Sequence, residues 1–304
     1  MRIAHISDLH VLALEGAVPF RLFNKRATGY ANIRWNRKHA HKSELVRTIA
    51  EHLSASKVDH VVISGDVSNL ALEAEFEAVR ALLDDVLGLA PAAVTLVPGN
   101  HDVYTRGAER KKRFARYFER YLASDLPELA TEQPGGMFPV VKLSGKVAVI
   151  GLSSALARPP FVASGKLGDA QLSALDEILK SREVRERFPV IVLHHPVHDP
   201  PTWLKRRLEG LSDAGRLKQL VLPLERGLVL HGHLHRRIHR TLATYGGHLD
   251  VVGATSASLV HPSPERMGGY NLYEITDGGE LASLESYLYD ETKKDFARAD
   301  LPRA

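Results

Sequence analysis

The sequence predicts a layered α/β domain with mixed strand directions. Short apolar runs typical of buried strands alternate with segments in which apolar residues recur every three or four positions, as on one face of a helix. Two further strand-like runs, 270–275 and 282–289, flank Asp277-Gly278-Gly279, which is typical of a β-hairpin. Because hairpin strands run antiparallel, we do not expect a purely parallel sheet.

Seven apolar runs predict the strands that precede this hairpin: 3–6, 60–64, 94–97, 147–152, 190–193, 228–230 and 249–252. Helical periodicity predicts helices at 43–56, 70–88, 107–122 and 169–180. Ser43 is a candidate N-cap of the first helix. We expect one domain over residues 1–289, followed by a frayed polar tail at 290–304.

Composition narrows the class of protein. The 304 residues carry 40 Lys and Arg against 36 Asp and Glu, for a formal net charge of +4, and include no cysteine. Disulfides, thiolate nucleophiles and cysteine-ligated metals are therefore excluded. The N-terminal residues lack a signal-peptide pattern, and no apolar run approaches the roughly 18 residues that span a membrane. We expect a cytoplasmic protein, with peripheral attachment to the inner membrane left open.

Residues 19–42 form a basic and aromatic insert. This stretch has seven Lys or Arg residues, four aromatic residues and no acid. It follows the first strand closely, so we expect a lid-like insert beside the site, with Arg34, Arg37 and Lys38 binding an anionic substrate. The same residues could contact a membrane surface. A second basic stretch, 106–120, indicates either a solvated face or an anionic partner.

Five short segments carry carboxylate, amide or imidazole groups, and each follows or ends an apolar run. They are Asp8-Leu9-His10, Gly65-Asp66-Val67-Ser68-Asn69, Gly99-Asn100-His101-Asp102, His194-His195-Pro196 and Gly232-His233-Leu234-His235. Ligands of open α/β sheets gather beyond the carboxyl ends of the strands, so we expect the five segments to meet there.

These residue types predict a site for two divalent cations. Asp, Asn and neutral His are suitable ligands for Mn, Fe, Zn or Co. Two cations about 3.5–4 Å apart need a bridging carboxylate, and Asp66, alone in its loop, is the natural candidate. The glycines at 65, 99 and 232 are expected to let the backbone turn sharply beside the site. Each segment alone also fits a turn or a strand end, but the five in this order predict a dinuclear centre.

The order D-x-H, G-D-x-x-N, G-N-H-D, H-H-P and G-H-x-H over residues 8–235 resembles the calcineurin-like metallophosphoesterase superfamily. The resemblance implies a four-layer α/β/β/α sandwich of two mixed β-sheets. It also implies two sets of metal ligands with a bridge between them: Asp8, His10 and His235 for the first ion, Asn100, His194 and His233 for the second, and Asp66 as the bridge.

Other residues of the segments have roles beside the metals in this scheme. The resemblance implies that His101 donates to a phosphate oxygen or to the leaving group. Asp102 either orients the His101 ring or stabilises a turn. Asn69 either contacts the substrate or caps the following helix. We expect His195 to support the site from behind and His5 to be a core histidine.

The resemblance implies a phosphoester hydrolase, most similar to phosphodiesterases, in which a metal-activated hydroxide attacks phosphorus in line with the leaving oxygen. Its substrate is an anionic phosphoester, and no stable nucleic-acid partner is expected. The main alternative is a pyrophosphatase that cleaves a UDP-acylsugar lipid precursor at the membrane surface, which the insert motivates. A nuclease is disfavoured because only about 70 residues follow His235. A metal-free binding scaffold is disfavoured because every ligand position is filled.

Overall fold

Two six-stranded β-sheets form the centre of the computed structural model, which describes residues 1–13, 41–198 and 200–303. The strands are β1 Arg2–Ile6, β2 His60–Ile63, β3 Val94–Leu96, β4 Thr131–Gln133, β5 Gly136–Phe138, β6 Val140–Ser144, β7 Val147–Gly151, β8 Phe188–Val192, β9 Leu228–His231, β10 Ile238–Ala243, β11 His248–Gly253, β12 Gly269–Ile275, β13 Leu281–Asp290 and β14 Asp295–Ala299.

Both large sheets are mixed. The first sheet has the order β14-β13-β12-β1-β2-β3, in which β1, β2 and β3 are parallel and the hairpin strands are antiparallel. The second has the order β10-β11-β9-β8-β7-β6, with parallel central strands and an antiparallel strand at each edge. Strands β4 and β5 form a separate two-stranded pair.

Eight α-helices accompany the two sheets within the described residues. They are α1 Ser43–Ala55, α2 Glu73–Ala81, α3 Arg106–Arg110, α4 Arg113–Phe118, α5 Asp169–Lys180, α6 Arg182–Arg185, α7 Trp203–Glu209 and α8 Ala214–Val221. Buried residues of α1 and α2 belong to one apolar core with the first sheet, and those of α5 and α8 belong to a second core with the outer face of the second sheet.

Alternation along the strands of the second sheet shows how the layers stack. In β7, Val147 and Val149 lie in the core between the sheets, whereas Ala148 and Ile150 pack toward the helices. Successive side chains of a strand point to opposite faces, so one strand serves both cores. The expected α/β/β/α sandwich is confirmed. Within the described ranges, no helix has the length and apolar character needed to cross a membrane.

Several local expectations were wrong. The segment predicted as one helix over 107–122 is two short helices, because Lys112 between them has a left-handed backbone (φ 46°). The N-cap position of α1 is Lys42 rather than Ser43. The stretch after residue 290, expected to be frayed, contains β14, which pairs with β13.

Most of the 19–42 insert, including Arg34, Arg37 and Lys38, lies outside the described residues.

Candidate metal centre

The five polar segments meet at one edge of the sandwich. Asp8 follows β1, Asp66 follows β2, Asn100 follows β3, His194 follows β8 and the His233-Leu234-His235 turn follows β9. Strands β1–β3 are parallel in one sheet and β8–β9 are parallel in the other, so their carboxyl ends open on the same side.

Asp8, His10 and His235 form a first cluster of donor atoms. The Nε2 atoms of His10 and His235 are 3.0 Å apart, and His235 Nε2 lies 3.1 Å from Asp8 Oδ1. The remaining distance, from His10 Nε2 to Asp8 Oδ1, is 3.8 Å. All three donors therefore converge on one small volume.

Asn100, His194 and His233 form a second cluster. Asn100 Oδ1 lies 3.2 Å from His194 Nε2 and 3.1 Å from His233 Nδ1, and the two ring nitrogens are 3.3 Å apart. His194 Nδ1 donates to the Ser64 carbonyl at 2.8 Å, which turns its Nε2 toward the cluster.

Asp66 lies between the two clusters. Its Oδ2 is 3.3 Å from His194 Nε2 in the second cluster. A carboxylate oxygen of Asp66 also lies within 4.8 Å of a ring nitrogen of His10 in the first. The other oxygen, Oδ1, accepts the backbone N–H of His101 at 2.7 Å, which fixes the orientation of the carboxylate.

These separations fit metal coordination. Metal–ligand bonds of about 2.1 Å at tetrahedral or octahedral angles place neighbouring donor atoms about 3.0–3.4 Å apart, and most distances above fall in that range. Asp8 Oδ1 is buried, and although His235 Nε2 lies 3.1 Å away, no described residue donates to this oxygen with hydrogen-bond geometry. A buried carboxylate oxygen without a donor is costly unless a cation faces it. The residues present therefore fit two cations.

The electrostatics also suit cation binding. Burial alone would raise the pKa of Asp8 and of Asp66, but the neighbouring imidazoles of His235 and His194 hold both pKa values well below the usual range. Burial lowers the pKa of His233 to about 3 and that of His10 well below its ordinary value. Burial alone would lower the pKa of His194, but Asp66 raises it to about 9. Ionised carboxylates and neutral imidazoles are the protonation states that ligate metals, so His194 must release its proton when a cation binds.

His101 borders the first cluster. Its Nδ1 donates to the Asn69 carbonyl at 2.7 Å, which leaves Nε2 as the nitrogen that can exchange a proton with a substrate. A donor atom of His101 lies within 4.8 Å of donors of His10 and Asp66. His101 therefore lies close enough to the first cluster either to donate a proton there or to contact a metal ion.

Asp102 connects two of the loops. Its carboxylate accepts the backbone N–H groups of Ser68 and Gly99 at 2.9 Å each, and the Ser68 hydroxyl at 2.7 Å. These bonds match the turn-stabilising alternative. Asn69 donates through Nδ2 to the His10 carbonyl at 2.5 Å. Since α2 begins after Leu72, Asn69 is not its cap.

Both ring nitrogens of His195 and of His5 are bonded to groups outside the two clusters. His195 Nε2 donates to the Ala163 carbonyl and its Nδ1 accepts from Ser154 Oγ, both at 2.8 Å, so it supports the site from behind. His5 is fully buried against Tyr273 and Ser64, as expected of a core histidine.

Sequence reasoning missed His41 and Tyr104. The His41 ring centroid is 5.4 Å from that of His10, and its Nδ1 is 2.7 Å from Ser258 Oγ. The Tyr104 ring stacks on His101 with centroids 5.3 Å apart and an interplanar angle of 11°. Tyr104 could have been found from its position three residues after His101, whereas no spacing signals His41.

Two glycines of the segments make room for carboxylates. A Cβ on Gly99 would lie 2.1 Å from Asp66 Oδ1, and one on Gly232 would lie 2.4 Å from Asp8 Oδ2. Gly65, by contrast, has a left-handed φ of +96° and makes the expected sharp turn. Gly99 and Gly232 thus let a carboxylate lie against the backbone, and they are not needed for a sharp turn.

Comparison with known proteins gives a family for most of the chain. A sequence model of the calcineurin-like phosphoesterases matches residues 1–237. A comparison with curated protein sequences found no significant match.

Solved structures with a similar fold include two phosphatases. A dimetal phosphatase from Danio rerio is 14% identical, with a TM-score of 0.54 over 90% of this chain and 92% of that one. A purple acid phosphatase from yellow lupin (Lupinus luteus) seeds is 11% identical, with a TM-score of 0.57 over 98% of this chain and 52% of that one. At these identities the likeness concerns the fold.

Proposed function

This chain belongs to the calcineurin-like phosphoesterase family, and we propose that it is a phosphodiesterase with a dinuclear metal centre. The observation that carries the proposal is the arrangement of two donor clusters around Asp66, with donor separations that match coordination of cations.

The proposed ligands follow the two clusters. Asp8, His10 and His235 would hold one ion, and Asn100, His194 and His233 would hold a second. Asp66 would be shared between the two ions. The oxygen and nitrogen donors suit Mn, Fe, Zn or Co.

Bound cations would supply an activated water and neutralise charge on the phosphoryl oxygens. The chain's own contribution is positioning and proton transfer. The Asn69 carbonyl holds the Nδ1 proton of His101, so Nε2 carries the second proton only in the imidazolium form and can give it to the leaving oxygen. Tyr104 stacked on His101 limits rotation of that ring.

The proposal includes substrate contacts from Asn69, Arg34, Arg37 and Lys38. Both described ends of the stretch that contains the insert lie beside the centre. The Val11 N–H donates to the Val67 carbonyl at 3.0 Å, and Lys42 N–H donates to the Ser258 carbonyl at 2.8 Å. This supports a role for the insert in substrate selection.

Metal content and a pair of substrates test the proposal. The purified full chain should contain close to two ions and, with added Mn, hydrolyse bis-p-nitrophenyl phosphate faster than p-nitrophenyl phosphate. The His194→Ala variant should lose metal and turnover, whereas the matched His248→Ala variant, at an exposed strand position, should keep both. A chain without stoichiometric metal, or one that prefers the monoester, would contradict the diesterase proposal.

A further inference from the structure

A groove begins beside the metal centre and leads away from it. Its near part, a cavity of about 460 Å³, is lined by Tyr104, Arg106 and Arg158. Because the Tyr104 ring stacks on His101, this cavity adjoins the group proposed to protonate the leaving oxygen. The far part, about 520 Å³, shares Arg158 and Pro159 with the near part.

The lining of the groove is basic and aromatic. The far part adds Arg206, Arg207 and Trp203 from α7. Across both cavities the described lining residues include four arginines and no carboxylate. An arginine guanidinium is a preferred partner of phosphate, because it offers two parallel donors.

Two of these side chains are placed for binding. Arg158, shared by both cavities, donates through Nε to the Ser164 carbonyl at 3.0 Å, so its guanidinium is partly oriented before any ligand arrives. Trp203 is 71% exposed on the groove wall, and α7 buries none of its side chains. An exposed indole beside arginines can stack on a ring while the arginines bind phosphate.

We propose that this groove binds a second phosphate group of the substrate, together with a ring that stacks on Trp203. The substrate class is then a phosphodiester that carries a further phosphate, as in a phosphorylated dinucleotide. The inference rests on the proposed diesterase function, and it assigns the groove to the part of the substrate beyond the scissile bond.

A pair of dinucleotides that differ by one phosphate tests the inference. Dithymidine monophosphate and its 5′-phosphorylated form are compared as substrates of the full chain with Mn. We expect the KM of the phosphorylated form to be about 10-fold lower or more, the scale of one charge-assisted hydrogen-bonded pair. Trp203→Ala should raise the KM of both dinucleotides.

Two double variants locate the second phosphate. Arg106→Ala/Arg158→Ala changes the near part and Arg206→Ala/Arg207→Ala the far part. At least one of them should bring the ratio of the two KM values close to one. The matched Arg185→Ala variant, in a separate cavity, should keep the wild-type ratio. A wild-type ratio near one, or a ratio kept by both double variants, would overturn the inference.

A binding measurement separates this inference from the proposed function. The sequence has two tryptophans, so in a Trp35→Phe background Trp203 fluorescence reports binding without turnover. If neither dinucleotide is hydrolysed but the phosphorylated form binds about 10-fold more tightly, the groove is supported and the diesterase proposal is wrong. If both are hydrolysed and bind equally, the groove inference is wrong and the diesterase proposal stands.

Discussion

Gly99→Ala tests whether close packing of the loops sets the position of the bridging carboxylate. A Cβ at residue 99 would lie 2.1 Å from Asp66 Oδ1 and 2.4 Å from the Asp66 backbone nitrogen. Ordinary carbon–oxygen contact begins at about 3.3 Å, so the two groups must separate by roughly 1.2 Å. The nearby Asp66 backbone cannot yield as a flexible side-chain end would.

This displacement is large on the scale of metal coordination. Metal–ligand distances are conserved within about 0.2 Å, and a misplacement of about 1 Å in an active site can cost about 100-fold in rate. We therefore expect Gly99→Ala to lose metal from both positions, because Asp66 lies between the two clusters, and to lose at least about 100-fold in turnover.

Metal analysis of the purified variant and its turnover of bis-p-nitrophenyl phosphate measure both effects. Gly215→Ala is the matched control, because a Cβ on Gly215, within α8, would meet no atom within 4 Å. It should keep metal and turnover, and replacing a helical glycine by alanine should raise stability by up to about 1 kcal/mol. A Gly99→Ala protein with two ions and wild-type turnover would refute the role assigned to Asp66.

Four further predictions concern other groups. Asp66→Ala should abolish activity and lower metal at both positions; retention of two ions would exclude bridging. His101→Ala should keep both ions and lose about 100-fold in rate, less for good leaving groups; loss of metal would make His101 a ligand. Burial raises the pKa of Glu75 from 4.5 to about 7, so its protonated form stabilises the fold below about pH 4.5 and this stability is lost as the pH rises through about 7. Between pH 4.5 and pH 7, the free energy of unfolding of the wild type should fall by about 3 kcal/mol more than that of Glu75→Gln. Denaturant titrations at several pH values measure this, and an equal pH dependence of the two proteins would contradict it. Neutralising Arg34, Arg37 and Lys38 of the insert should raise KM for the natural substrate more than for a small aryl diester. Equal responses of the two substrates would disprove the insert's role.

Periodicity predicted the fold well because burial dominates both sheets. The apolar runs at 147–152 and 190–193 became β7 and β8, whose residues are buried on both faces. The break at Lys112 was missed because the apolar stripe of Phe114, Phe118 and Tyr121 lies entirely after it, and the charged residues 109–113 carry no periodic signal of a left-handed backbone. The pairing of β14 with β13 was missed since polar edge strands lack an apolar pattern.

The sequence predicted which residues meet at the site, but it did not predict the hydrogen bonds that position them. Strand ends and ligand chemistry indicated where Asp8, Asp66 and His194 would meet. Nothing in the spacing signalled that Ser256 Oγ would donate to the Asp8 carbonyl at 2.6 Å, or that Ser258 would hold His41 beside His10. Those bonds join segments more than 200 residues apart, so they depend on the tertiary fold alone.

Backbone strain explains why three of the five segments, those of Asp8, Asp66 and His233, depend on one another. Asp8, His10, Asp66, His233 and His235 all have a left-handed backbone, with φ between 45° and 69°. Each such residue costs about 1–2 kcal/mol, which persists only where surrounding structure compensates.

Compensation comes from bonds between loops rather than within them. Asp8 N–H donates to the Gly65 carbonyl at 2.9 Å and His10 N–H to the Asp66 carbonyl at 3.0 Å. His233 N–H in turn donates to Asp8 Oδ2 at 3.0 Å. These bonds hold the Asp8–His10 loop against the loops of Asp66 and His233 in their left-handed conformations. Bonds of this kind restrict the donor loops to the arrangement that would hold a cation, which lowers the cost of ordering the chain on binding.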